Sequence, residues 1–188
     1  MQFWWGAVRM KLAWIVAGAT FGVDQVSKLA VVQGMKLIDI GVIDVWPPYL
    51  TFRMAWNQGV NFGLMAGQSQ ITRWALIVLS LAITLWVWRW VSRTNPGRLA
   101  QAAAGLLIGG ALGNVIDRIV YGAVADFLNM SCCGIENPYA FNVADIAIFA
   151  GALGLVLFTG KDTPKSGGES KPKAKRATKR GKQDGKTS

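Results

Sequence analysis

The chain of 188 residues contains no histidine, and that absence removes whole classes of chemistry. Ser-His-Asp and Cys-His catalysis need an imidazole base, and the common protein metal sites need imidazole ligands. Cysteine is almost as scarce. The two present, Cys132 and Cys133, are adjacent and offer no metal-ligand spacing. A vicinal disulfide and two free thiols both fit that pair. Charge is sparse too: only 16% of residues are charged, against 52% that are hydrophobic. Half of the basic charge lies in one segment. Residues 161–188 hold ten of the 20 Lys and Arg and three of the 10 Asp and Glu, a net +7, so the basic pI describes a tail more than a folded body. Rich in Lys, Gly, Ser and Pro, this tail cannot bury enough surface to offset its chain entropy and is expected to be disordered. A solubilising cytosolic end is its plainest role and attraction to anionic lipid headgroups the next; nucleic acid is not an expected partner.

What remains, residues 1–160, is one domain dominated by long apolar runs. About 20 apolar residues cross a hydrocarbon core as a helix. Four windows qualify, at roughly 12–32, 71–91, 99–120 and 140–160. The second is the plainest, with Trp74, Trp86, Trp88 and Trp90 near its ends as interface anchors. The first resembles a secretory signal, but its apolar run continues through Asp24 and Lys28 without a small-residue cleavage site, so it is expected to be kept. Lys and Arg set the orientation. Arg9 and Lys11 precede span one, Arg89, Arg93 and Arg98 lie between spans two and three, and the tail adds ten more, whereas 121–139 has none. Both termini are therefore expected in the cytoplasm, with the loops at about 33–70 and 121–139 outside. Alternating apolar and β-branched residues around Pro47 and Pro48 point to short strands on the outer surface.

Ionisable groups are costly inside a bilayer, so those within the spans need a reason. Span one carries Asp24 and Lys28, at the i, i+4 spacing of an intrahelical ion pair. This pair fits a structural role and a site role equally. On span three, Gly110, Asn114 and Arg118 recur every four residues and share a face, while Gly105, Gly109 and Gly113 line an adjacent face suited to close helix packing. Asp117 fits a structural network with a neighbouring helix. Given the orientation, these groups, Asn57 of the first outer loop, and Asn142 and Asp145 at the head of span four all converge at the outer leaflet. Asp126 lies just past outgoing span three, and Asp145 starts the returning one. Antiparallel neighbours can bring both carboxylates to one site. Two such carboxylates cannot both ionise easily, so one keeps a proton and polarises a carbonyl while the other acts as base on a water.

These residues also form a set of motifs. They are D-Q-x-x-K over 24–28, N-x-G-x-x-F over 57–62, G-G-A-x-G-N-x-x-D-R over 109–118, G-x-V-x-D-F over 122–127 and F-N-x-A-D over 141–145. Together, and in this order, they resemble the lipoprotein signal peptidases (signal peptidase II), bacterial inner-membrane aspartic proteases. The resemblance covers nearly all of residues 10–160. It implies Asp126 and Asp145 as the catalytic pair, with Asp24, Lys28, Asn57, Gly110, Asn114, Arg118 and Asn142 lining or supporting the substrate site. It further implies no metal or other cofactor, and cleavage of prolipoproteins on the N-terminal side of a cysteine carrying diacylglycerol. Asn61 departs from the small residue that the pattern favours, and Cys132-Cys133 are not part of it.

The expectation is thus an all-α membrane protein with four transmembrane helices and a small periplasmic β-rich surface element. It is expected to act as a monomer among membrane lipids on lipid-modified prolipoproteins. The competing class is an ion-coupled transporter, which places ionisable groups near the midplane within reach of both faces. A non-catalytic assembly factor is the third reading, and it gives no reason for paired aspartates.

Overall fold

A computed structural model describes residues 11–59, 69–132, 134 and 137–159 of the chain. Asn61, Phe62, Cys133 and the basic tail lie outside the described residues. Helix α1 (Lys11–Lys28) continues through wider, π-helical turns over Leu29–Gly34 and is followed by the single turn α2 (Leu37–Ile40). Strands β1 (Val42–Trp46) and β2 (Leu50–Asn57) come next, then helices α3 (Ser69–Thr94) and α4 (Arg98–Tyr121), strand β3 (Val124–Met130) and helix α5 (Val143–Thr159).

Three helical stretches among the described residues are long and apolar enough to cross a membrane: Lys11–Gly34, Gln70–Thr94 and Arg98–Tyr121. Helix α5 is apolar but shorter, at 17 residues, a rise of about 25 Å. It starts three residues later than the apolar run suggests. The reason lies in the backbone. Phe141 donates its N–H to Leu128 O and accepts from the amides of Phe127 and Leu128, so it belongs to the sheet and cannot join a helix.

Helix α4 is the axis on which α1, α3 and α5 pack. Small residues permit this. A Cβ on Gly105 would lie 2.6 Å from the Ala13 carbonyl oxygen of α1, and one on Gly110 would lie 2.5 Å from that of Ala144 in α5. Gly105 and Gly109 thus face α1, as their four-residue repeat indicates, while Gly110 faces α5. Helix α3 packs Val87 and Val91 against Ala104, Leu107 and Ile108, and exposes Ile71, Trp74, Val78 and Leu79. Because Gly105 meets backbone, which cannot rotate aside, Gly105→Val is expected to cost roughly 1–3 kcal/mol as an overpacked contact. Thermal unfolding in detergent would measure it.

Over one end of the bundle lies an antiparallel sheet in the order β1-β2-β3. The strands expected around Pro47 and Pro48 are β1 and β2, which follow the turn α2, but sequence patterning gives no sign that residues 124–130 complete the sheet. Gly122, at φ +82°, makes the sharp turn from α4 into β3. Ala125 and Phe127 then bury themselves against Val31, Val32 and Leu37, which fixes the sheet to the extended end of α1. Asp126 is therefore a strand residue with backbone partners, opposite Ala55, and not a loop residue.

Candidate active site

The site is built where α1, α4, β2, β3 and the first turn of α5 meet. It starts from a buried cation. Lys28 Nζ lies 2.7 Å from Asp24 Oδ2 and 2.8 Å from Asp117 Oδ2, and it donates to Asn114 Oδ1 at 3.4 Å. Asp24 is fully buried. Its other oxygen accepts the Ala144 N–H at 2.9 Å, tying α1 to the start of α5. Gly113 makes room for it, since a Cβ there would lie 2.6 Å from Asp24 Oδ2. Burying an ion pair is unfavourable unless its remaining lone pairs are satisfied, and here they are met from three helices.

Lys28 also fixes polarity further along. Because it donates to the Asn114 carbonyl oxygen, the Asn114 amide nitrogen must face the other way, where it donates to Asp145 Oδ1 at 2.8 Å. Asn142 is directed in the same manner. It caps α5 through a reciprocal arrangement, in which the Asp145 N–H donates to Asn142 Oδ1 at 2.9 Å and the Asn142 N–H to Asp145 Oδ2 at 3.4 Å. The Asn142 amide nitrogen is thereby turned to Asp126, donating to its Oδ1 at 2.6 Å, and to Asn114 Oδ1 at 3.3 Å. Asn57 closes the other side of Asp126, donating to Oδ2 at 3.1 Å. Two asparagines thus hold Asp126, and Asn142 touches both aspartates.

Asp126 is 2% exposed, whereas Asp145 is half-buried. Burial pushes the Asp126 carboxyl up from its ordinary 3.8 to about 6, helped by the negative charge of Asp145 and opposed by the hydrogen bonds from Asn57 and Asn142 and by the charge of Lys28. Arg118, half-buried, donates to Asn114 O at 3.3 Å and lies in the electrostatic field of Asp145, Asp126 and Asp117. Gly110 sits beneath the site, in contact with the backbone of Ala144.

The structure brings Asp24, Lys28, Asn57, Gly110, Asn114, Arg118, Asp126, Asn142 and Asp145 together at one end of the bundle. The network with a neighbouring helix expected for Asp117 is its ion pair to Lys28 of α1, whereas Gln25 and the bond from Asp117 to β3 were not legible in advance. Gln25 donates to Asp24 Oδ2 at 3.1 Å and Asp117 Oδ1 at 3.2 Å, clamping the two carboxylates that hold Lys28. Asp117 also accepts the Ala125 N–H at 3.2 Å. A helical signal existed, because Asp117 follows Gly113 at i+4 and so shares the face that meets Asp24. Cys132 is disulfide-bonded, so it is not one of two free thiols.

A family model for signal peptidase (SPase) II matches residues 16–160. The lipoprotein signal peptidase of Methylorubrum extorquens (strain PA1) is 41% identical over 150 residues, which is 79% of this chain and 85% of that protein. The lipoprotein signal peptidase of Methylobacterium radiotolerans is 43% identical over 140 residues, 73% and 79% of the two chains. A solved structure of a bacterial membrane enzyme, determined by the in meso method, superposes with a TM-score of 0.67 at 27% identity, over 80% of this chain and 94% of its own. With its apolar helices and a matched region that spans all of the polar residues described above, the chain belongs to the signal peptidase II family.

Proposed function

We propose that this protein is an aspartic endopeptidase that removes signal peptides from diacylglyceryl-modified prolipoproteins, cutting on the N-terminal side of the lipidated cysteine. The observation that carries the mechanism is Asn142, which holds both Asp126 and Asp145 at one end of the bundle. Asp126, with its raised carboxyl, carries the proton shared by the pair. It donates that proton to the scissile carbonyl oxygen while Asp145 takes one from the attacking water. As the resulting diol collapses, Asp126 recovers a proton from a hydroxyl and Asp145 delivers one to the leaving amine, so the pair ends as it began. Arg118 supplies a half-buried guanidinium for substrate carbonyl groups. Lys28, surrounded by Asp24, Asp117 and Asn114, acts through Asn114.

The distribution of Lys and Arg supports an orientation with both termini in the cytoplasm and this site at the periplasmic face of the bacterial inner membrane, where a lipid-anchored substrate presents its cleavage bond. The reading includes α5 as a fourth span. It requires no metal, and one chain supplies every group, so a monomer suffices. The ion-coupled transporter finds no support, because the buried ionisable residues gather at one end of the helices and the family is a peptidase family.

Incubating purified protein in detergent with a diacylglyceryl-modified prolipoprotein tests this directly. Mass spectrometry should find a released signal peptide and a product beginning at the modified cysteine. No cleavage by folded protein would refute the reading. The pH profile gives a second check. Losing the Asp126 proton ends catalysis, so kcat/KM should fall on the alkaline side, with a limb well above the ordinary carboxylate range. The Asn57 hydrogen bond favours the ionised form. Removing it in Asn57→Leu should raise the Asp126 pKa and move that limb to higher pH.

A further inference from the structure

We propose that Asp117 is a positioning residue for Asp126, acting through the Ala125 peptide. This rests on the peptidase reading above. Asp117 is 1% exposed and lies near the end of α4. One of its oxygens, Oδ2, takes both the Lys28 ammonium at 2.8 Å and the Ala125 N–H at 3.2 Å. Oδ1 takes the Gln25 amide at 3.2 Å.

Ala125 immediately precedes Asp126 on β3. Successive strand residues point to opposite faces, so fixing the Ala125 peptide from one side sets the direction in which the Asp126 carboxylate leaves the strand. Asn57 and Asn142 hold that carboxylate by its oxygens, and Asp117 holds the backbone behind it. Lys28 thus reaches the pair by two routes, through Asn114 to Asp145 and through Asp117 to the strand of Asp126. Gln25 limits the swing of the Asp117 carboxylate and completes the second route.

The competing account is that Asp117 only neutralises Lys28. Asp117→Glu separates the two, since it keeps the charge but displaces the carboxylate by one methylene from the Ala125 amide. The expected result, per folded molecule, is a fall in kcat of roughly tenfold, the worth of about one hydrogen bond at the reacting group, with KM little changed. Gln25→Met is the second variant. It leaves the charges and the half-buried site intact, and should lower kcat by a smaller factor with the same unchanged KM. The third readout is the alkaline limb of Asp117→Asn. The charged groups acting on Asp126 are Lys28 from α1, Arg118 from α4 and Asp145 from α5. Losing the Asp117 charge leaves Lys28 less neutralised, which strengthens its attraction for the Asp126 carboxylate, so the limb should move to lower pH. Wild-type kcat in both Asp117→Glu and Gln25→Met, with only lowered thermal stability, would overturn the positioning role while leaving the peptidase intact. If Asp117→Glu fails to fold, an unchanged kcat in Gln25→Met alone overturns it. Failure of wild-type protein to cleave would instead refute the peptidase reading.

Discussion

Asp126→Asn and Asp145→Asn should each lower cleavage of a diacylglyceryl-modified prolipoprotein on the order of 10²–10⁴-fold, the usual worth of a positioned acid or base. The substitutions keep shape and volume, so the loss isolates proton transfer. Their structural cost is bounded by the surrounding network. The Asp126 oxygens face two amide donors, Asn57 and Asn142, so an asparagine there leaves one donor facing another. At 145 the Asn114 amide and the Asn142 N–H donate to different oxygens, so an asparagine again turns its own NH2 towards one of these donors. Neither amide is free to turn round, because Lys28 directs Asn114 and the Asp145 N–H directs Asn142. A mismatch of that kind costs about 1–3 kcal/mol, visible as a lower melting temperature but too small to unfold a well-packed bundle. Cleavage should therefore vanish while most of the protein remains folded. Retention of cleavage in either variant would remove that residue from the proposed chemistry.

Much of this arrangement was legible in the sequence because membrane helices leave few polar residues to choose from. Asp24, Lys28, Asn114 and Arg118 stand out against apolar flanks, and helical spacing puts Asn114 and Arg118 on one face. The four-residue repeat of Gly105 and Gly109 likewise identified a close helix contact before its partner was known. The strand at 124–130 was not legible. Its seven residues include Asp126 and Asn129, which interrupt any simple apolar alternation, and its pairing partner β2 lies some 70 positions earlier in the chain. Long-range pairing of this kind leaves little local trace. The start of α5 was hidden for the same reason, since the apolar run at 140–160 does not reveal that the Phe141 backbone is engaged by β3. Gln25 was not legible because an amide beside a stronger Asp–Lys signal gains meaning only from the second carboxylate, Asp117, that lies across from it.

Lys28→Met should produce the largest loss of stability among single substitutions in the site. Removing one member of a buried, hydrogen-bonded ion cluster leaves the others uncompensated, at a cost of about 3–5 kcal/mol. Here it leaves two carboxylates, Asp24 and Asp117, which are 0% and 1% exposed. The expected outcome is a sharp fall in abundance and melting temperature. A further comparison separates stability from function. In the triple variant Lys28→Met, Asp24→Asn, Asp117→Asn no buried charge is left unpaired, so stability should recover substantially. Activity per folded molecule should stay low, because Asn114 has lost the donor that turns its amide towards Asp145, and the Ala125 N–H has lost its charged acceptor. Recovery of both properties would make the ion cluster a helix fastener alone. Recovery of stability without activity would show that one buried lysine both holds the helices together and sets the direction of hydrogen bonds reaching the two aspartates.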